Sequence, residues 1–404
     1  MNSSHPRSVS ASWRKPFEET ELRAWAAGLR EQLGPHRPSL GLVFMTPGYF
    51  DQARDILEIL RLHAQIPVLA GCSGASLIVN EDELEDQDAL VLGLYSLPGA
   101  ELRTTRFTQE DVEASAEPDS WPRHTGVSPA ETNGWLAFAD PFHMDAEAWL
   151  RGWNSTYAPK AILGGLASGN FSDQRTQVYL NGDVFEEGGV GVSFGGAIGI
   201  HGVISQGCTP IGETWTITDT DRHIIKTIAN RPAYQVLVDT FQSLSNAEQA
   251  KVRGNLFVGL VINEYSEEFQ RGDFLIRNLI GTDPASGSIA VGAYPRRGQT
   301  LQFQKRDANA ATEDLGLLLD RAGQDLEGQP IYGACLCSCN GRGTKLFGSS
   351  SHDAAMIQKK LGPLGVSGFF CNGEIGPVGN RNFLHGYTAS IALFVSRPTL
   401  PASP

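Results

Sequence analysis

Two short loops near the C-terminus carry the side chains best suited to chemistry. The first follows Cys335, Cys337 and Cys339, which alternate along one predicted strand and so share a face. Three thiols invite a metal site. Neighbouring positions i and i+2, however, lie ~6.6 Å apart and the outer pair ~13 Å, at a rise of ~3.3 Å per residue. Sulfurs spread that far cannot all reach ~2.3 Å from one zinc ion. No metal and no other cofactor is expected, and Cys335 and Cys337 read as small buried apolar groups. Cys339 differs, because it ends the strand and enters Asn340-Gly341-Arg342-Gly343. Glycines flanking an arginine predict a tight turn that presents the guanidinium, a planar fork matched to carboxylate or phosphate. The plainer alternative is a surface turn with a solvated Arg.

The second loop is Cys371-Asn372-Gly373-Glu374-Ile375-Gly376-Pro377, leaving the apolar run Gly365–Phe370. A carboxylate at the end of a buried strand must pair with a base or bind a ligand's amine or amide. Arg342 is the natural partner if the pair is structural. His385 follows, and its titration near neutral pH makes it a candidate, although a lone His is more often structural. A third motif, Gly71-Cys72-Ser73-Gly74, suggests a nucleophile loop but lacks the G-x-S-x-G spacing of a hydrolase elbow. Gly164–Asn170 lacks the dinucleotide pattern, and no P-loop lysine follows any glycine run. The acidic stretch Glu81–Asp88 has no EF-hand spacing and reads as a solvated turn. The candidate ligand-binding residues are therefore Cys339, Asn340, Arg342, Cys371, Asn372, Glu374 and His385, with Cys72 and Ser73. No catalytic residue is assigned.

The elements that must hold these loops form a pattern repeated three times: strand, turn, amphipathic helix, strand, glycine-rich loop, long strand. The first copy runs from Leu40–Met45 through a helix capped by Asp51, with Ile56, Leu60 and His63 on one face, to Val68–Gly71 and Ala89–Tyr95. The second runs from Trp135–Ala139 through a helix capped by Asp145 to Ala161–Leu163, Gln177–Leu180 and Gly191–Ile200. The third runs from Ile331–Cys339 through a helix capped by Ser351 and stopped by Gly362-Pro363 to Val366–Cys371 and Tyr387–Val395. Between the second and third copies, helices are predicted over Asp221–Ala229 and Pro232–Leu244. Strands follow at Leu256–Asn263, Phe274–Ile280, Ser288–Tyr294 and Thr300–Lys305, then a helix at Thr312–Ala322. The fold class is α/β, with α+β as the alternative: two domains of mixed sheets covered by helices. The expected divisions are an N-terminal tail and first helix over 1–37, one domain over 38–240 and a second over 241–398. Residues 1–20 read as a loose tail, because no apolar segment marks a secretory signal.

At 404 residues, two domains are the natural prior, and cores form without disulfides or metals. A content of 41% hydrophobic and 19% charged residues excludes a disordered chain, and no apolar run reaches the ~20 residues that span a bilayer. A net charge of −13 with no basic cluster argues against nucleic acid. The six cysteines are read as reduced thiols of a cytoplasmic protein.

In order along nearly the whole chain, these segments resemble the FIST family, named for F-box and intracellular signal transduction proteins. The N-terminal likeness covers roughly 38–235 and rests on Leu69-Ala70-Gly71-Cys72-Ser73 and the Gly164-Gly165 loop. The C-terminal likeness covers roughly 236–390 and rests on Ser338–Gly343 and Gly368–Pro377. The resemblance implies a sensory module that binds small ligands, amino acids among them, in signalling proteins. The chain leaves no room for a kinase, cyclase or F-box, so output is expected to pass through a protein partner. Arg342 would meet an anionic group of the ligand and Glu374 a cationic one, the pattern a zwitterion asks for. The alternatives are a cysteine-dependent enzyme, with Cys339 or Cys371 as nucleophile and His385 or His352 as base, and a protein-interaction scaffold.

Overall fold

A computed structural model describes residues 6–115, 120–170, 172–266 and 268–397. The fold is α/β with mixed sheets, about 27% helix and 40% strand. By contacts the chain forms two compact units. One comprises residues to Ile204, Leu315–Leu384 and Thr388 onward; the other comprises Ser205–Asp314 with His385–Tyr387. These units cut the chain differently from a division at 240/241, because strands distant in sequence share sheets.

The first unit is built from the three repeats. In each, a strand, a crossover helix and a second strand make a parallel pair. These pairs are Leu40–Met45 with Leu69–Ser73, Gly134–Ala139 with Ile162–Leu166, and Ile331–Cys339 with Val366–Cys371. The helices are Ala53–His63, Ala146–Tyr157 and His352–Leu361, each burying one apolar stripe. A long strand then returns antiparallel to the first: Leu90–Tyr95, Gly189–Gly196 and Thr388–Ser396.

Between the second strand and this return, each repeat sends out a hairpin, and the hairpins are exchanged in a ring. Leu77–Val79 of the first repeat pairs with Val366–Cys371 of the third. Val178–Leu180 of the second pairs with Leu69–Ser73 of the first. Glu374–Val378 of the third pairs with Ile162–Leu166 of the second. The exchange closes the three sheets around a common core that includes Phe44, Phe138, Phe369, Cys335, Cys337 and Cys371. One glycine recurs at the same register point in every repeat. A Cβ on Gly71, Gly164 or Gly368 would lie 1.7, 1.8 or 1.9 Å from the carbonyl oxygen of Val43, Ala137 or Leu336.

The second unit is an antiparallel seven-stranded sheet in which Cys208–Asp221 pairs with both Thr300–Arg306 and Ile224–Ile228, closing a ring of strands. Helix Ala233–Ser243 packs on it.

Several local expectations are corrected. Residues 8–13 are not a loose tail: Ser8–Trp13 pairs with Leu90–Tyr95, and Val9 and Trp13 enter the core. Val9, Ala11 and Trp13 alternate with Ser8, Ser10 and Ser12, a period-2 strand pattern hidden inside a segment read as a tail because it carries no secretory signal. Asp51 does not cap the first repeat's helix, which grows out of a 3₁₀ turn over Pro47–Gln52. Ser351 stands before the third helix but makes no hydroxyl cap; its φ is +65° and its Oγ accepts the Glu83 N–H. Asp221–Ala229 is no helix: β-branched Ile224, Ile225, Thr227 and Ile228 form a strand folded back on Cys208–Asp221. The run Gly191–Ile200 breaks at Gly196, where φ is +64° and a side chain would strike the Gly99 carbonyl. Asp145 does cap its helix, accepting the Ala148 N–H at 2.8 Å.

Candidate functional site

Superposing the repeats by register shows where the third departs from the other two. The residue that opens each exchanged hairpin pairs with the residue after the shared glycine. These openers are Leu77, Val178 and Glu374, paired with Phe369, Cys72 and Gly165. Leu77 and Val178 are core side chains. Glu374 is a fully buried carboxyl in the same place. The register partner changes to suit: only the second repeat has a glycine there, and a Cβ on Gly165 would approach Cys371 Cβ to 3.1 Å and Sγ to 3.2 Å. The smaller residue makes room for the third repeat's polar group.

Glu374 Oε1 accepts the Cys371 thiol at 3.2 Å and Oε2 accepts the Thr388 N–H at 3.0 Å. Burial is the main influence on its titration, only partly offset by these bonds, and pushes the carboxyl up to about 8. At neutral pH it is mostly the uncharged acid. Cys371 Sγ also lies 3.2 Å from the Ser338 carbonyl oxygen. Burial first, and then the Glu374 and Cys339 charges, push the Cys371 thiol well above its ordinary range, so it is no ready thiolate. Cys339, the parallel-register partner of Cys371, is half-buried and hydrogen-bonds to the same carboxyl.

The turn after Cys339 does not present Arg342 outward. Arg342 is fully buried and gripped by Asp353: Nε donates to Oδ2 at 2.6 Å and Nη2 to Oδ1 at 2.9 Å. The guanidinium lies 5.3 Å from the Phe347 ring centroid, and Nη1 has no hydrogen-bond partner. Burial alone would raise Asp353, but the Arg342 charge and hydrogen bonds overcome it and hold the carboxyl well below the usual range. The expected pairing of Arg342 with Glu374 is therefore replaced by Arg342–Asp353, with Glu374 close enough to act on Arg342 only through its charge.

A second layer supports this pair. Glu83 Oε1 accepts the N–H groups of Asp353 and Ala354 at 2.9 and 3.1 Å, and so caps the helix from another repeat's hairpin. Glu83 is therefore not part of a solvated acidic turn; burial and the Asp353 charge push it up to about 7. Glu85 Oε1 accepts the Thr344 N–H at 2.9 Å. His352 Nδ1 lies 3.0 Å from Asp353 Oδ1 and its ring stacks on Phe347, which turns it to the ion pair.

The accessible part of the cluster is small. Asn340 Nδ2 donates to Asn372 Oδ1 at 2.8 Å, and Asn372 Nδ2 donates to the Ala167 carbonyl at 3.1 Å. Asn340, Asn372 and Cys339 are all half-buried. The structure thus brings Cys339, Asn340, Arg342, Cys371, Asn372 and Glu374 together. Cys72 and Ser73 belong to the first repeat. Ser73 Oγ accepts the Gln177 N–H, and burial holds the Cys72 thiol well above its ordinary range. His385 is buried and is assigned by contacts to the second unit. Asp353 and Glu83 were not singled out from sequence; the one available signal was an acidic residue opening a helix directly after the Arg342 loop. Among the described residues, no group of three or more His, Cys, Asp or Glu side chains is placed to hold a metal ion.

Fold and site together define a two-domain α/β protein with a buried ion pair and a buried carboxyl clustered at the strand ends of its third repeat. The chain matches the FIST N domain over residues 39–231 and the FIST C domain over 233–377, and it belongs to the FIST family. FIST domains are associated with sensing in signal transduction. An uncharacterised protein of Mycobacterium tuberculosis is 36% identical over 372 residues, covering 92% of this chain and 94% of that protein. One from Mycobacterium bovis is 36% identical over 371 residues, with the same coverages. Among solved structures, a cyanuric acid hydrolase from A. caulinodans aligns over 97% of this chain and all of its own, at 9% identity and a TM-score of 0.35. At that score the likeness bears on neither fold nor chemistry. Among the described residues, no helix is long and apolar enough to cross a membrane.

Proposed function

We propose that the protein is a cytoplasmic sensor that binds a small polar ligand, an amino acid or similar metabolite, at the outer end of the parallel pair Ile331–Cys339 and Val366–Cys371, and signals through a protein partner. The observation that carries this reading is the position of Glu374. Two repeats fill that point with Leu77 and Val178, so packing alone asks for an apolar residue there. The ligand would be met by Cys339, Asn340 and Asn372, the half-buried members of the cluster, with Glu374 and the Arg342–Asp353 pair beneath them. Because Arg342 is committed to Asp353 and Glu374 is mostly uncharged, recognition here favours hydrogen bonding over the paired charges a zwitterion would otherwise exploit.

Binding is also favoured over thiol catalysis at Cys371, since a buried, uncharged thiol is a poor nucleophile. A thermal-shift screen of amino acids and small metabolites tests the reading. A ligand that stabilises the wild type should bind Asn340→Ala about 5–100-fold more weakly, the loss of one or two buried hydrogen bonds. A screen with no stabilising ligand, or an unchanged affinity in the variant, overturns the assignment.

A further inference from the structure

We propose that Cys339 and Cys371 form a redox-active dithiol, which the disulfide of a small thiol converts to an intramolecular disulfide. The inference rests on geometry and not on the ligand reading.

Cys339 and Cys371 are register partners on adjacent parallel strands. Such strands run ~4.8 Å apart, inside the ~4.4–6.8 Å between Cα atoms that a disulfide spans. The two side chains share a face, and both sulfurs meet one carboxyl, that of Glu374. Cys371 Sγ already leans over the neighbouring strand, 3.2 Å from the carbonyl oxygen of Ser338, the residue before Cys339. Access is asymmetric: Cys339 is half-buried at the strand end, whereas Cys371 is fully buried. Cys337 lies two residues deeper, and its register partner is Phe369, so no second cysteine faces it across the pair.

The exchange balances in two steps. The Cys339 thiolate attacks one sulfur of the small disulfide RSSR. The RS–SR bond breaks, Cys339–SR forms, and the departing thiolate takes up the proton Cys339 had released. Cys371 then gives its proton to the Glu374 carboxylate and attacks the Cys339 sulfur. The Cys339–SR bond breaks and the second RS⁻ collects the proton from Glu374. Two protein thiols and RSSR thus become one protein disulfide and two RSH. Glu374 acts here as the proton acceptor for the resolving thiol, so closure should speed up as the pH rises toward 8.

The test uses the reduced full-length chain under native conditions, treated with bis(2-hydroxyethyl) disulfide, quenched in acid, alkylated and mapped by peptide mass spectrometry. The expected product has lost two alkylatable thiols and links Cys339 to Cys371. Cys371→Ser should trap the mixed disulfide at Cys339, and Cys339→Ser should leave Cys371 unreacted. Glu374→Gln should slow closure about a hundredfold while the mixed disulfide accumulates, within the range of a positioned proton-transfer group. A linkage mapped to another pair, or a Cys339 that stays reduced while the protein remains folded, overturns the proposal. The wild-type map needs no variant and no ligand. Its failure therefore leaves the sensing proposal standing, and a failed ligand screen leaves the dithiol standing.

Discussion

Replacing Glu374 with Gln should change how stability depends on pH more than it changes stability itself. In the folded chain the carboxyl titrates at about 8, against 4.5 for the free group. The folded state therefore holds this proton more tightly than the unfolded state. Between those two values the unfolded chain binds fewer protons, so stability falls as pH rises and levels off above 8. One pH unit inside the window corresponds to about 1.4 kcal/mol. From pH 5 to pH 8 the wild type should lose on the order of 3–4 kcal/mol through this one group. Gln keeps the size and the acceptor for the Thr388 N–H but does not titrate. Urea unfolding of both proteins at pH 5, 6, 7 and 8 yields the difference directly, and Glu83 and every other titrating group cancel in it. The variant should gain on the wild type by that amount across the series. A difference that stays flat with pH would mean that Glu374 ionises normally in the folded state, and the description of an uncharged buried acid would fail.

Three further outcomes follow from the geometry. Arg342→Ala leaves Asp353 buried without its partner and should cost about 3–5 kcal/mol in denaturant unfolding, whereas the double variant Arg342→Met with Asp353→Leu should recover most of it. A failure of the double variant to recover would show that the pair is needed for more than charge balance. Glu83→Ala removes the acceptor for two N–H groups at the start of helix His352–Leu361 and should cost about 0.5–2 kcal/mol at pH 8, read by the same assay. Gly368→Ala sets a methyl group 1.9 Å from a backbone oxygen, and the cost should exceed about 4 kcal/mol, seen as loss of the folded protein on expression; a normal melt would refute the close approach.

The parallel pairs were legible because they are continuous apolar runs bounded by glycine or proline, and Ile331–Cys339 and Val366–Cys371 fall where the sequence places them. The three crossover helices were legible from their stripes, whereas Asp221–Ala229, expected as a helix, is a strand. What escaped was non-local. Nothing near Leu77 shows that its hairpin joins a strand nearly 300 residues away. Ser8–Trp13 carries its own alternation of Ser with Val9, Ala11 and Trp13; what the sequence does not show is that it pairs with the edge of Leu90–Tyr95. The same limit applies within the site. Cys339, Cys371 and Glu374 stand beside recognisable strand ends, so their proximity could be argued from pattern. Arg342 has two acidic candidates, Asp353 at the start of the following helix and Glu374 at the end of the neighbouring strand, and the fold gives it Asp353. Glu83 enters from another repeat, where it looked like one member of a charged turn.

The exchange of hairpins explains why one repeat can carry polar groups without loosening the core. Each hairpin opener is held by its own chain on one side and by a strand of a neighbouring repeat on the other. Its backbone is thus fixed between two strands of one sheet, and the direction of its side chain does not depend on its own apolar packing. In two repeats that position is filled by Leu77 and Val178, which join Phe44, Phe138 and Phe369 in the shared core. In the third, Glu374 gives up that packing and is satisfied instead by Cys371 and the Thr388 N–H, with Gly165 opening the space across the pair. A purely structural residue would gain nothing from this change, because burying a carboxyl costs free energy that a leucine would not. The change also needs a matching change in a different repeat, at Gly165. Two coordinated departures from an internal pattern converge on the half-buried Cys339, Asn340 and Asn372, and they are the reason the proposed ligand site is put at this end of the third repeat.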